Sequence, residues 1–368
     1  MRKYILMTVI LLSAVFFLNY KSSEKPLKVL HVCFHDGCIH EIEGVAKALS
    51  LDLTSWNAFK LPPYSFDPAE NGGYILYQMD KNRANRIWEK NKDYFNQFDA
   101  ILTSDTTPLS RIFIQNDWNK PLIVWVSNRF DWYPTYFQND YYDLLNDASK
   151  NKKNVFFVNS SPFEMFYAKQ KQVDLGNCVI AACAANLPPS NFLQPVDLDR
   201  NSKIFVHKRT QEVQSPHCNI SEVLKKYDIP AYCDRYETLE ELQAFKGVLY
   251  LPYQWYVISL FETLKLGLPT FVPTERFLLE MINGKKYVFE SPELATVANL
   301  QTYSEWYNPE IKKVLIYFDS WEDLKKKVAE TDYQSARRKS WEFGQNHEKV
   351  MIQRWKEVFG KAKSVLKD

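Results

Sequence analysis

Short apolar runs alternate with helix-spaced apolar stripes along this chain. Lys28–Phe34, Ala100–Thr103, Leu122–Val126 and Val155–Val158 are too short for buried helices and read as strands. Between them, Ile42, Val45, Ala46 and Leu49 recur at helical spacing, and Lys81–Phe95 and Tyr141–Lys150 are helical stretches. Strands alternating with helices predict a parallel sheet joined by crossovers. Asn186–Asn201, with Pro188, Pro189 and Pro195, has no periodicity and reads as an inter-domain linker. The alternation then resumes. Strand Lys203–Val206, helices Ile220–Lys226 and Leu239–Phe245, and strand Val248–Leu251 precede a helix opening near Ser259. Strands Thr270–Val272 and Tyr287–Glu290 follow. The last third is helical and carries the amphipathic stripe Met351, Trp355, Val358, Phe359 and Ala362.

A chain of 368 residues exceeds one comfortable core, so two α/β domains are expected. Their boundaries are a leader and stem over 1–25, a Rossmann-like domain over 26–188 and a linker over 189–200. A second Rossmann-like domain spans 201–335, and terminal helices span 336–368. Within the leader, Arg2 and Lys3 precede a nearly unbroken apolar run from Tyr4 to Tyr20. That pattern fits a signal anchor or a secretory signal, and with no clear small-residue cleavage site the anchor is the reading taken. The formal charge of +2, from 46 basic and 44 acidic residues, supplies no field for nucleic acid. Only 10 glycines occur, and no G-x-G-x-x-G or Walker loop is among them. Dinucleotide and P-loop enzymes are thereby disfavoured. Six cysteines (Cys33, Cys38, Cys178, Cys183, Cys218 and Cys233) make an even count compatible with an oxidising compartment, and they allow 15 pairings. Asn159 and Asn219 each open a glycosylation sequon.

Polar residues collect where each predicted strand ends: His35-Asp36, Ser104-Asp105, Asn128-Arg129 and Asn159-Ser160-Ser161. In open parallel sheets ligands bind beyond the carboxyl ends of strands, so these clusters point to a cleft. His35 and Asp36 stand where a proton acceptor is useful, and an imidazole with a pKa near 6.5 suits that task. The compact run His31–His40 contains three histidines and two cysteines, but a closed zinc site over it would be strained. Asp197-Leu198-Asp199 could hold a divalent cation but falls in the linker. His207-Lys208-Arg209 directly follows a strand and could meet phosphate oxygens. Ser259-Leu260-Phe261-Glu262 also spells a capping box, which would turn the carboxylate back onto its own helix.

Val248–Thr274, reading VLYLPYQWYVISLFETLKLGLPTFVPT, resembles the donor-binding region of GT-B glycosyltransferases. That family often writes a glutamate, seven residues, a second glutamate, a helix and a Gly-Leu-Pro turn. Gln254 and Glu262 stand at the two acidic positions, and Gly267-Leu268-Pro269 stands at the turn. Val257 replaces a usual glycine. The resemblance implies two Rossmann-like domains facing a cleft, the first for the acceptor and the second for a nucleotide sugar. The terminal helices would cross back to the first domain. It further implies Glu262 on the ribose hydroxyls, Gln254 near the donor sugar, and Lys208 and Arg209 on the diphosphate. His35 and Asp36 would face a glycan or glycoconjugate hydroxyl. The co-substrate is the nucleotide sugar, and no metal or other cofactor is required. An exported body needs nucleotide sugars on its own side of the membrane. A type II Golgi enzyme therefore fits, with a bacterial inner-membrane enzyme facing the cytoplasm as the alternative. An exported two-lobed sugar-binding protein and a non-catalytic chain that keeps the fold are the competing readings.

Overall fold

The computed structural model describes residues 25–57, 79–131, 138–187, 202–207, 219–234, 236 and 238–367. The leader, Asp197, Asp199, Lys208, Arg209 and Cys218 lie outside these residues. Two five-stranded sheets form the frame, and every pairing in them is parallel. The first contains β1 (Lys28–Cys33), β2 (Asp52–Asn57), β3 (Ala100–Thr103), β4 (Leu122–Val126) and β5 (Val155–Asn159), in the order β2-β1-β3-β4-β5. The second contains β6 (Ile204–His207), β7 (Ala231–Asp234), β8 (Gly247–Leu249), β9 (Thr270–Pro273) and β10 (Ile316–Phe318), in the order β10-β9-β8-β6-β7. Counted from its own first strand, each sheet runs 2-1-3-4-5. The strand order therefore reverses beside β1 in one sheet and beside β6 in the other, and such points are where open parallel sheets take ligands.

Central strands are apolar throughout because helices cover both faces. In β3 and β4 every residue is buried. The three strands the apolar pattern does not show, β2, β7 and β10, all lie at sheet edges. Edge strands tolerate polar residues, and β2 reads DLTSWN. Conversely, Tyr287–Glu290 is not a strand. Its residues hold a neighbouring loop: the Tyr287 hydroxyl donates to the Leu251 carbonyl at 2.6 Å and the Glu290 amide to the Tyr253 carbonyl at 2.8 Å.

Helix starts follow local capping. Helix α1 (Asp36–Leu49) opens on His35, α2 (Lys81–Phe95) on Asp80, whose carboxylate accepts from the Arg83 amide at 2.7 Å. Next come α3 (Gln138–Asn151), α4 (Pro162–Gln170), which has proline in its first turn, and α5 (Ile220–Lys226), capped by Asn219. The stretch expected as helix Leu239–Phe245 is 3-10 over Leu239–Ala244. Then follow α6 (Ile258–Lys265), α7 (Glu275–Asn283), α8 (Val297–Tyr303) and α9 (Trp321–Glu330).

The final helix, α10 (Tyr333–Val365), is 33 residues long and joins both halves. Met351, Trp355, Val358, Phe359 and Ala362 are all buried, as their spacing predicts. Trp355 meets Trp125 of β4 edge-on, with ring centroids 6.0 Å apart. On the same helix, Gly344 packs against the backbone of Lys265 in α6. The crossing segment before the linker is held through its carbonyls. His347 bonds the Ala182 carbonyl, Arg354 the Val179 carbonyl, and Lys265 the carbonyls of Ala184 and Leu187. From α1, Glu41 accepts the amides of Cys183 and Ala184 at 2.7 and 2.9 Å. One apolar cluster accordingly runs from a face of the first sheet through the second sheet to α10, and another fills the first sheet's opposite face. The five described cysteines are free thiols. Among the described residues no helix is long and apolar enough to cross a membrane.

Candidate functional site

Segments that follow strands of the first sheet meet segments that follow strands of the second. The segment from the β8–α6 loop into α6 touches the first turns of two helices that follow strands of the first sheet. Trp255 stacks on Phe163 with centroids 4.0 Å apart and planes at 7°. A Cβ built on Gly37, in the first turn of α1, would lie 3.8 Å from the Ile258 side chain. Because Ile258 and Glu262 are four apart on α6, they share one face of that helix. Gly37 and Glu41 relate in the same way on α1, so the two helices lie with their opening turns abreast.

The β8–α6 loop is rigid for a stated reason: its carbonyls are taken by neighbours. The Trp306 indole donates to the Gln254 carbonyl at 2.9 Å. The Trp255 carbonyl accepts from the Glu305 amide at 3.1 Å and from the Ser304 hydroxyl at 3.0 Å. The Trp255 indole in turn donates to the Glu290 carbonyl at 3.0 Å. Such a shell fixes where the half-buried side chain of Gln254 can stand. Val257 has extended dihedrals, φ −147° and ψ 142°, which any residue adopts, so its backbone conformation does not call for glycine.

The capping box does not form. The cap of α6 is Val257, without a side-chain bond, and Ser259 already lies inside the helix. The Ser259 carbonyl instead accepts from the hydroxyls of Thr263 at 2.7 Å and Tyr250 at 3.2 Å. Glu262 is half-buried, and its carboxylate has no hydrogen-bond or ion-pair partner among the described residues. Burial first, and then the nearby Glu41 carboxylate, push it up to about 7. Tyr250 lies within its field, and burial pushes that phenol up to about 12. Tyr236 is raised for the same reasons.

His35 and Asp36 are exposed at the start of α1. The Nδ1 of His35 accepts from the Cys38 amide at 3.4 Å, so the neutral ring carries its proton on Nε2. Lys208 and Arg209 lie outside the described residues. The strand they follow, β6, pairs directly with β8, whose loop carries Gln254.

The remaining strand-end clusters divide into two kinds. Arg129, after β4, ties the halves together. Its Nη1 lies 2.8 Å from Glu164, its Nη2 lies 3.2 Å from Glu290, and its guanidinium stands 4.6 Å over the Phe163 ring. Burial pushes Glu164 up to about 7 against the pull of Arg129. The loop after β3 is different. Asp105 adopts φ 68°, its amide donates to the Ser127 hydroxyl at 2.8 Å, and its half-buried carboxylate has no partner among the described residues. Burial, and secondarily Cys33, push that carboxyl up to about 8. Nearby, His31 Nε2 and the Ser104 hydroxyl are 2.8 Å apart. The position of Asp105 at a strand end is visible in the sequence, but its left-handed backbone and lack of a partner are not. Among the described residues no group of three or more His, Cys, Asp or Glu side chains is placed to hold a metal ion.

A stability consequence follows from these raised carboxyls. Glu262 and the buried Glu305, both at about 7, and Asp105 at about 8 hold protons more tightly when folded than when unfolded. Between the ordinary carboxylate range near ~4 and about 8, the folded chain therefore binds more protons, and stability falls as pH rises. Urea midpoints are expected to decrease steadily from pH 5 to pH 8. A flat or rising midpoint over that window would show that these groups are not enclosed as described.

No protein-family model matches the chain, and a search of curated proteins returns no match.

Proposed function

We propose that the chain is a GT-B type glycosyltransferase that moves a sugar from a nucleotide donor to a hydroxyl of a glycan or glycoconjugate, in the cleft between the sheets. The observation that carries this reading is Glu262. A half-buried carboxylate without a partner, on a helix face turned toward the opposite half, is costly unless a ligand supplies donors. Two ribose hydroxyls would do so. Gln254, on its pinned loop, is assigned to the donor sugar, and Lys208 and Arg209 after β6 to the diphosphate. His35 and Asp36, at the facing helix start, are assigned to the acceptor side. The nucleotide sugar is the co-substrate, and neither a metal nor another cofactor enters the reading. An N-terminal anchor in a type II Golgi arrangement completes it, because that lumen contains nucleotide sugars.

Calorimetric titration with UDP-, GDP- and ADP-sugars tests the proposal. One donor class is expected to bind. Losing a charged acceptor of hydroxyl bonds costs about 1.5–3 kcal/mol, so Glu262→Ala should weaken binding by about 10- to 150-fold. Because the ionised carboxylate is the better acceptor, binding should tighten as pH rises through about 7 and then level off. Affinity for free sugars alone, unchanged in Glu262→Ala, would instead identify a two-lobed sugar-binding protein.

A further inference from the structure

We propose that Asp105 is the general base of the transfer, taking the proton of the acceptor hydroxyl as that oxygen attacks the donor sugar; this rests on the transferase reading above. Three independent features converge on this residue. First, it lies two residues beyond the carboxyl end of β3, the strand beside β1 where the order of the first sheet reverses. Second, its backbone is held at φ 68°, a region that costs a non-glycine residue energy and is concentrated at functional sites. The bond from its amide to Ser127 at the end of β4 helps to hold it there. Third, its carboxylate has no partner among the described residues. The next two residues, Thr106 and Thr107, bring buried hydroxyls that likewise lack partners among the described residues. The half-buried Asp105 carboxylate is thus left open to an acceptor hydroxyl.

The surroundings of Asp105 favour a base. Burial, and then negative charge on the Cys33 sulfur of β1, raise its carboxyl to about 8, and the Cys38 sulfur of α1 lies within its field. No described cation pairs with it, so its ionised form is not sequestered. A base whose pKa lies near the working pH transfers protons most effectively. Cys38 shares the first turn of α1 with Gly37, which Ile258 approaches from α6, so that turn has Asp105 and the helix bearing Glu262 as neighbours. His35 is worse placed for this step, because its Nδ1 already accepts the Cys38 amide.

In the step itself the acceptor O–H bond breaks and its proton passes to an Asp105 oxygen. A bond forms between the acceptor oxygen and the anomeric carbon. The bond from that carbon to the diphosphate oxygen breaks with its electron pair, and the nucleoside diphosphate leaves. Asp105 returns its proton to water between turnovers. A single displacement of this kind inverts the anomeric configuration.

The test uses Asp105→Asn in the full chain. Asparagine has the same shape and tolerates a left-handed backbone, so folding is preserved, and the thermal midpoint verifies it. Donor affinity should stay within about twofold, whereas nucleoside diphosphate release with free monosaccharides as acceptors should fall about 10²- to 10⁴-fold. The wild-type pH–rate profile should show an acidic limb near 8 that the variant lacks, and the product should have inverted configuration by NMR. Turnover by Asp105→Asn at the wild-type rate, a retained configuration, or a wild-type chain that binds donor without releasing diphosphate each overturns the assignment while leaving the donor site standing. A wild-type chain that binds no nucleotide sugar removes the transferase reading, and this assignment with it.

Discussion

Replacing Arg129 with methionine is expected to destabilise the protein by about 3–5 kcal/mol, because removing one partner of a buried ion pair leaves the others bare. Two carboxylates depend on this cation. Glu164 is fully buried and Glu290 is only 14% exposed. At the usual unfolding entropy per residue, a chain of this length should melt about 4–6 °C lower. Arg129→Lys should recover little, since a single ammonium cannot fork to both carboxylates and stack on Phe163 at once. Adding Glu164→Leu to Arg129→Met should restore much of the loss by removing the fully enclosed charge. Calorimetric melting of these three variants beside wild type decides the matter. An Arg129→Met midpoint equal to wild type would show that the cluster is not a tie between the halves.

Gly344→Val has the second largest expected effect. A Cβ at this position would lie 2.5 Å from the Lys265 Cα and 2.7 Å from its nitrogen, and both are backbone atoms that cannot swing aside. Helix α10 must then move off α6, at a cost near or above the ~3 kcal/mol upper range for overpacking. Since α6 carries Glu262, donor affinity should fall in the same variant. Gly360 is the control on the same helix. Nothing lies within 4 Å of its Cβ position, so Gly360→Ala should instead stabilise by up to about 1 kcal/mol through helix propensity. Opposite signs from two glycines in one helix, read from urea midpoints, would tie the effect to the contact rather than to glycine itself.

How far the fold could be read from the chain depended on where each element sits. Lys81–Phe95, Ala100–Thr103 and Leu122–Val126 have the same limits in the structure as in the apolar pattern, because the two strands are fully enclosed and the helix buries one regularly spaced face. The edge strands β2 and β7 face solvent on one side, so no apolar run marks them. Tyr287–Glu290 shows the converse error. Its Tyr287 and Phe289 are buried, but they pack against a loop, and burial alone does not make a ladder. For the site, Glu262 in a four-residue capping pattern has two readings, and only the backbone of Val257 shows that the box does not form. Arg129 and Asp105 look alike in the sequence, each a charge beyond a strand. Their difference lies in partners: Arg129 meets Glu290 across 161 residues of chain, which no local pattern reports, whereas Asp105 meets none among the described residues.

The contact between Trp355 and Trp125 also governs how the protein can be made. Trp125 belongs to a sheet whose strands are complete by Asn159, yet the indole that roofs it is translated almost two hundred residues later. During synthesis the early sheet must wait with an apolar face uncovered until the residues of α10 have been made. Premature termination anywhere before Trp355 would therefore leave both halves, not just the truncated one, open to proteolysis.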